Sequence, residues 1–185
     1  MIAEASLSGP DPFARAETAA NDTDQAPALD FRTIFERYSH YVATIAFRLL
    51  GRNDEVDDVV QDVFLQVHRR LATIRPDAIK GWLAVVTVRA TRRRLRRRWL
   101  WRTLGIDDIT EELPDPDASP EQRAHVLSVG RLLDKMPADN RIAWLLKQVE
   151  GKTIEETAEL CGCSVSTAQR RLRAAYIFLN RARAQ

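Results

Sequence analysis

The sequence predicts an all-α protein of two small helical domains joined by a flexible acidic linker, the C-terminal domain containing a helix-turn-helix. Three observations lead there. Apolar residues recur at intervals of three and four through the first half, the spacing of amphipathic helices. An acidic stretch with two prolines near 103–119 has little to bury. After Thr153 a short capped helix, a glycine turn and a second capped helix follow one another. The expected plan is a disordered acidic extension at 1–30, a helical domain at 31–102, a linker at 103–119 and a second helical domain at 120–185.

Residues 1–30 are rich in Ala, Asp, Pro and Thr without sustained periodicity. From Phe31 the residues Ile34, Phe35, Tyr38, Tyr41, Val42, Ile45 and Leu49 line one helical face, and Gly51 supplies a stop. The next helix carries the stripe Val56, Val59, Val60, Val63, Phe64, Val67 and Leu71, with Asp54 and Glu55 at its start and Arg69 and Arg70 at its end, matching the helix dipole. A third helix is expected from about Asp77, after Pro76, through Trp82, Leu83 and Val86 into an arginine block. Its β-branched middle, Val85 to Val88, is locally ambiguous between helix and strand. Ser119, Pro120 and Gln122 form a helix-start signature. Helices are then expected at 120–135, 138–150, 154–161 and 164–182, parted by Pro137, Gly151 and the turn from Cys161 to Cys163.

Composition is that of an ordinary globular protein, with 45% hydrophobic and 29% charged residues. No apolar run is long enough to span a membrane and no secretory signal pattern opens the chain, so a cytoplasmic location is expected. Two cysteines one residue apart are too few for a disulfide framework. With His40, His68 and His125 distant in sequence they make a poor metal set, and they read as small buried hydrophobes. No glycine-rich phosphate loop and no nucleophile set stand out, so neither an enzyme nor a cofactor is expected.

The formal net charge of +2 conceals a segregation. Arg89 to Arg102 contains eight arginines and no acid, whereas Thr103 to Glu121 contains seven acids and no base. Such an arginine cluster is an electrostatic footprint for phosphate, though a charge run by itself is commonly just a solvated helix end. In the second domain Thr153 and Glu156 are placed as a capping box, Ala158 is small enough for close packing, Gly162 suits a left-handed turn and Ser164 caps the following helix. On that helix Val165, Ala168, Leu172 and Tyr176 form the expected packing side. Arg170 points away, flanked by Ser166, Thr167 and Arg173, with Gln169 at the margin. Arginine and glutamine suit base edges in a major groove, and hydroxyls and further arginines suit phosphates.

The run Asp57-Asp58-Val59-Val60-Gln61-Asp62-Val63-Phe64 closely resembles the polymerase-docking helix of bacterial sigma factors. Arg48-Leu49-Leu50-Gly51 and Gly81-Trp82-Leu83 match at the expected spacing. Leu133 to Pro137, Glu150-Gly151-Lys152, Ala158, Gly162, Ser164 and Arg171-Leu172 resemble the family's promoter-reading domain. Two motif-bearing domains in this order, with no intervening domain, resemble the extracytoplasmic-function (ECF) subfamily.

The resemblance implies that Asp58, Gln61 and Asp62 meet the clamp of core RNA polymerase. It implies that Trp82, more as core than as a stacking platform, and Arg89, Arg92, Arg93, Arg94, Arg96, Arg97 and Arg98 belong to the surface facing the minus-ten element. Ser166, Thr167, Gln169, Arg170 and Arg173 would serve the minus-thirty-five element. The implied partners are core polymerase and promoter DNA, with an anti-sigma protein as a third. Arg89 stands where relatives usually carry asparagine, Thr157, Cys163 and Ala168 replace larger aliphatic residues, and Gln169 replaces a commonly basic one. The alternative is a helix-turn-helix regulator that binds DNA without polymerase.

Overall fold

The computed structural model describes residues 30–105 and 119–183. The expected extension and most of the expected linker lie outside those residues. Among the described residues seven α-helices follow in order: α1 Phe31–Leu50, α2 Val56–Arg70, α3 Ile79–Thr103, α4 Pro120–Asp134, α5 Ala138–Gln148, α6 Ile154–Cys161 and α7 Val165–Arg183. Short 3-10 turns at Leu71–Thr73 and Pro76–Ala78 join α2 to α3, so the helix expected from Asp77 enters through a 3-10 turn and becomes α-helical at Ile79. Among the described residues there are no strands, and no helix is long and apolar enough to cross a membrane.

In the first half α1, α2 and α3 pack on one another. The apolar stripes predicted from spacing supply the core: Val42 and Leu49 of α1, Val59, Val63 and Val67 of α2, and Leu83 of α3 are fully enclosed. Enclosing each such side chain contributes about 1.5–3 kcal/mol before the entropy of ordering is subtracted. Asp30 caps α1 by accepting the Thr33 N–H at 3.2 Å. Gly51 ends it at φ 72°, a left-handed conformation that glycine adopts without steric cost. Phe35 is more exposed than its place in the α1 stripe suggested. Its ring instead stacks edge-on against Phe64, centroids 4.8 Å apart, in a surface cluster with Phe31.

The β-branched middle of α3 is helical because it is enclosed on both sides. Ala84, Val85, Val86, Thr87 and Val88 are all buried, the helix being packed against α1 and α2 on one side and α5 and α6 on the other. Two buried hydroxyls remain satisfied along the helix, Thr87 donating to the Leu83 carbonyl at 2.6 Å and Thr91 to that of Thr87 at 2.9 Å. Trp82 is buried, in keeping with a core role.

In the second half α5, α6 and α7 pack together as the helix-turn-helix unit. The capping box is complete: Thr153 Oγ1 accepts the Glu156 N–H at 3.1 Å and the Glu156 carboxylate accepts the Thr153 N–H at 2.7 Å. That second bond holds the Glu156 carboxyl below the usual carboxylate range. Gly162 makes the turn at φ 60°, ψ 46°. The α7 packing face departs from the helical-wheel reading. Ala168, Leu172 and Ala175 are buried, whereas Val165 and Tyr176 are 38% and 43% exposed. The buried side is rotated toward Ala175 because α5 and α6 both press on α7 there, a tertiary constraint that a wheel does not contain.

Candidate nucleic-acid interface

The arginines of α3 point in three directions. Arg94 and Arg98 turn inward. Arg94 Nη1 donates to the Asp62 carboxylate at 2.8 Å, with Glu55 at 3.7 Å and Asp58 at 3.9 Å. Arg98 lies 3.7 Å from the Glu55 carboxylate and donates to the Leu50 carbonyl at 3.3 Å. Burial pulls the Arg98 guanidinium pKa down, and Glu55 pulls it back up. Glu55 therefore does not cap α2 with its side chain, which is drawn to these two guanidinium groups.

Arg93 and Arg97 turn outward and have no ion-pair partner among the described residues. Arg97 lies over the Trp101 ring, 5.3 Å from its centroid. Arg93, Arg69 and Arg70 line a shallow depression of about 470 Å³ with Asp62, Leu65 and Gln66. Arg89, Arg92 and Arg96 turn toward the second half. Of the seven arginines singled out in the sequence, only Arg93 and Arg97 present exposed side chains without a carboxylate or carbonyl partner.

On α2, Asp58 and Gln61 are exposed and Asp62 is half-buried, all on the side opposite the valine stripe. Arg94 ties the two acids together from beneath. Sequence reasoning missed Leu65, which sits one turn beyond Gln61 and is 49% exposed. It falls outside the apolar stripe, and that misplacement was the available signal. The face is thus a pair of carboxylates, an amide and an exposed leucine on a rigidly backed helix, a mixture suited to a basic and partly apolar protein surface.

On α7 the N-terminal turn carries a hydroxyl cluster. Ser164 Oγ accepts the Thr167 N–H at 3.3 Å and lies 2.9 Å from Thr167 Oγ1 and 3.1 Å from Ser166 Oγ. Gln169, Arg170 and Arg173 are exposed, and neither arginine has an ion-pair partner among the described residues. The second helix of the helix-turn-helix therefore offers polar groups, two uncommitted guanidinium groups and a helix N-terminus on one accessible side. Such a surface can hold phosphates and reach base edges.

Other residues that sequence reasoning missed lie at the junction of the halves. Arg141 is buried, donates through Nη2 to the Leu50 carbonyl at 2.8 Å and pairs with the Asp134 carboxylate. Asp139 gathers Arg96 and Arg171. Cys161 is buried and Cys163 half-buried, both as free thiols.

The Sigma-70 region 2 family model matches residues 34–100 and the Sigma-70 region 4 model matches residues 127–179. The chain is 28% identical over 153 residues to the ECF RNA polymerase sigma factor SigE of Mycolicibacterium smegmatis, covering 80% of this chain and 60% of that one. It is 30% identical over 143 residues to the ECF RNA polymerase sigma factor SigM of Mycobacterium tuberculosis, covering 76% of this chain and 70% of the relative. Among solved structures, the sigma factor RpoE in complex with the anti-sigma factor NepR from Bartonella quintana superposes with a TM-score of 0.57 at 21% identity. That match covers 82% of this chain and 95% of RpoE, a likeness of fold. With both sigma regions present in order and a relative at this identity matched over most of its length, the chain belongs to the ECF RNA polymerase sigma factors.

Proposed function

We propose that this chain directs core RNA polymerase to a set of promoters and that it does so by binding alone, with no catalytic chemistry of its own. The observation that carries the reading is the presence, on one chain, of two separate polar faces, each backed by an enclosed apolar stripe: the acidic α2 face and the cationic α7 face. Asp58, Gln61, Asp62 and Leu65 would dock on the polymerase clamp. Arg93 and Arg97, with Arg89, Arg92 and Arg96 on the same helix, would hold the phosphates around the minus-ten element. Arg170 would read a base of the minus-thirty-five element, with Ser166, Thr167, Gln169 and Arg173 around it. The functional division would follow the plan read from the sequence, 31–102 for polymerase and the minus-ten element and 120–185 for the minus-thirty-five element. A cytoplasmic location goes with this reading. An anti-sigma protein is a fitting regulatory partner, since RpoE, whose fold this chain shares, was solved bound to one.

The alternative, a regulator that binds DNA alone, is separated by a co-purification experiment. The wild-type chain should hold purified core polymerase through gel filtration, and a folded Asp58→Arg/Asp62→Arg double variant should lose most of that binding. Normal core binding by the double variant would remove the α2 face from the docking role.

A further inference from the structure

A groove of about 320 Å³ opens where α1 and α3 meet α5 and α6. Its apolar lining comes from Ile45 of α1, Val85 and Val88 of α3, Leu146 of α5 and Leu160 of α6. The charges around it are unequally committed. Glu150 accepts from Arg48 at 3.1 Å, and Glu156 is held in its capping box by the Thr153 N–H. Lys80 lies over the Tyr41 ring, 5.4 Å from its centroid, and neither Lys80 nor Lys152 forms an ion pair among the described residues. Lys152 acts on Glu156 only through space. Glu159 is exposed and is the one acid of the groove left to face two ammonium groups. Burial, with Glu150 adding to it, raises the Tyr41 pKa, so this half-buried hydroxyl keeps its proton and can donate. A glycine lines the same groove. Gly81 is the third residue of α3, its φ is not positive, and a Cβ built on it meets nothing within 4 Å. Glycine is the weakest helix former after proline, and here no turn and no neighbouring atom requires it. What its missing side chain leaves is an open groove.

We propose that this groove is a binding site for a small amphipathic monocarboxylate, with the apolar body on Val85, Val88, Leu146 and Leu160 and the carboxylate held by Lys80, Lys152 and the Tyr41 hydroxyl. Small ligands bind in concave, mainly apolar sites that carry a few convergent polar groups and lie at the seam of two units. The aliphatic lining gains from covering a hydrocarbon, and a strongly polar ligand would leave it without a partner. The two uncommitted ammonium groups select the sign of the head group, since an ammonium ligand would meet them as like charges. The depression beside Arg93 differs in kind, because Arg69, Arg70 and Arg93 line it and Leu65 is its one aliphatic side chain. Neither α2 nor α7 contributes to the groove, so the site is separate from the faces assigned to polymerase and to the minus-thirty-five element.

The test is calorimetric titration of the full chain with octanoate as the probe, kept below its micellar concentration, beside octanol and octylammonium. Octanoate should bind saturably at one site and raise Tm as its concentration rises. The alcohol and the ammonium should bind at least about tenfold more weakly. Lys80→Gln/Lys152→Gln should weaken octanoate by about tenfold and leave octanol unchanged. Gly81→Leu should fill the groove and abolish binding, with a ligand-free Tm equal to or above that of wild type because leucine is the better helix former. Absence of saturable octanoate binding, equal binding of octylammonium, or undiminished octanoate binding by folded Gly81→Leu would each overturn the proposal. A wild-type dimer in sedimentation velocity that Gly81→Leu abolishes would assign the groove to a second copy of this chain and overturn it as well.

Discussion

Arg141 is the side chain whose loss should be felt most widely, since it begins on α5 and ends at the carboxyl end of α1. Its Nη2 donates to the Leu50 carbonyl at 2.8 Å, and its Nη1 meets the Asp134 carboxylate. A net hydrogen bond from a charged donor contributes about 1.5–3 kcal/mol. The Asp134 pair counts for less, under about 1 kcal/mol, because that carboxylate is one-third exposed and keeps Arg102 at 3.5 Å. Leu50 O also keeps the Arg98 donor at 3.3 Å, so it is not orphaned. On the other side, burial pulls the Arg141 pKa down and its Nε is enclosed without a protein partner, costs that methionine would not incur. The balance for Arg141→Met is a destabilisation of about 2 kcal/mol. Arg141→Ala should reach about 3 kcal/mol because the aliphatic stem is lost as well. At this chain length 2 kcal/mol corresponds to a fall in Tm of about 4–8 °C. Urea unfolding followed at 222 nm and by tryptophan fluorescence gives the measurement. Trp82, Trp99 and Trp101 lie in the first half and Trp144 in the second, so Arg141→Met should also draw the two signals apart as the halves uncouple. A free energy of unfolding within about 0.5 kcal/mol of wild type, with coincident transitions, would refute this account of the junction.

Three further outcomes follow from the site geometry. Burial, with Cys163 adding to it, pushes the Cys161 thiol up to about 11, so in the folded chain a disulfide-exchange reagent at pH 8 should titrate Cys163 alone, and in urea both thiols. Because the folded state holds the Cys161 proton more tightly than the ordinary value of 9.0 allows, this group's contribution to stability is complete below pH 9 and falls as pH rises toward 11. A melting temperature independent of Cys161→Ala substitution across that window would contradict it. On α7, Arg170→Ala should cost about 1–3 kcal/mol on the preferred promoter and relax selection at one or two positions, while Arg173→Ala weakens binding evenly. A promoter-library selection returning wild-type preferences for Arg170→Ala would take the reading role from that residue.

The elements legible in the sequence were those fixed by local chemistry. The α2 valine stripe, the Thr153 and Glu156 capping box, and the left-handed turns at Gly51 and Gly162 depend on residues within one or two turns of each other, and each is found where spacing put it. The partners of the arginine block were not legible. Arg92 meets a carbonyl 69 residues away and Arg141 one 91 residues away, and nothing in a charge run says which guanidinium will face solvent and which a buried acceptor. Asp139 reads as an ordinary acid in the first turn of a helix, favourable to its dipole, until Arg96 and Arg171 are brought to it. The α3 middle was ambiguous for the same reason, since a helix enclosed on two sides has no polar face to mark its period. The rotation of the α7 packing face away from Val165 and Tyr176 likewise depends on α5 and α6.

The central claim is that this chain makes core polymerase start at defined promoters, and a run-off assay with purified components tests it most directly. Core polymerase given a random promoter library should yield transcripts from a restricted, related set of sequences when the chain is added. It should yield none from them without it, and few with Asp58→Arg/Asp62→Arg. Transcripts indistinguishable from those of core polymerase alone, under conditions where the folded chain binds the same DNA by itself, would contradict the account and leave a DNA-binding regulator that works without polymerase.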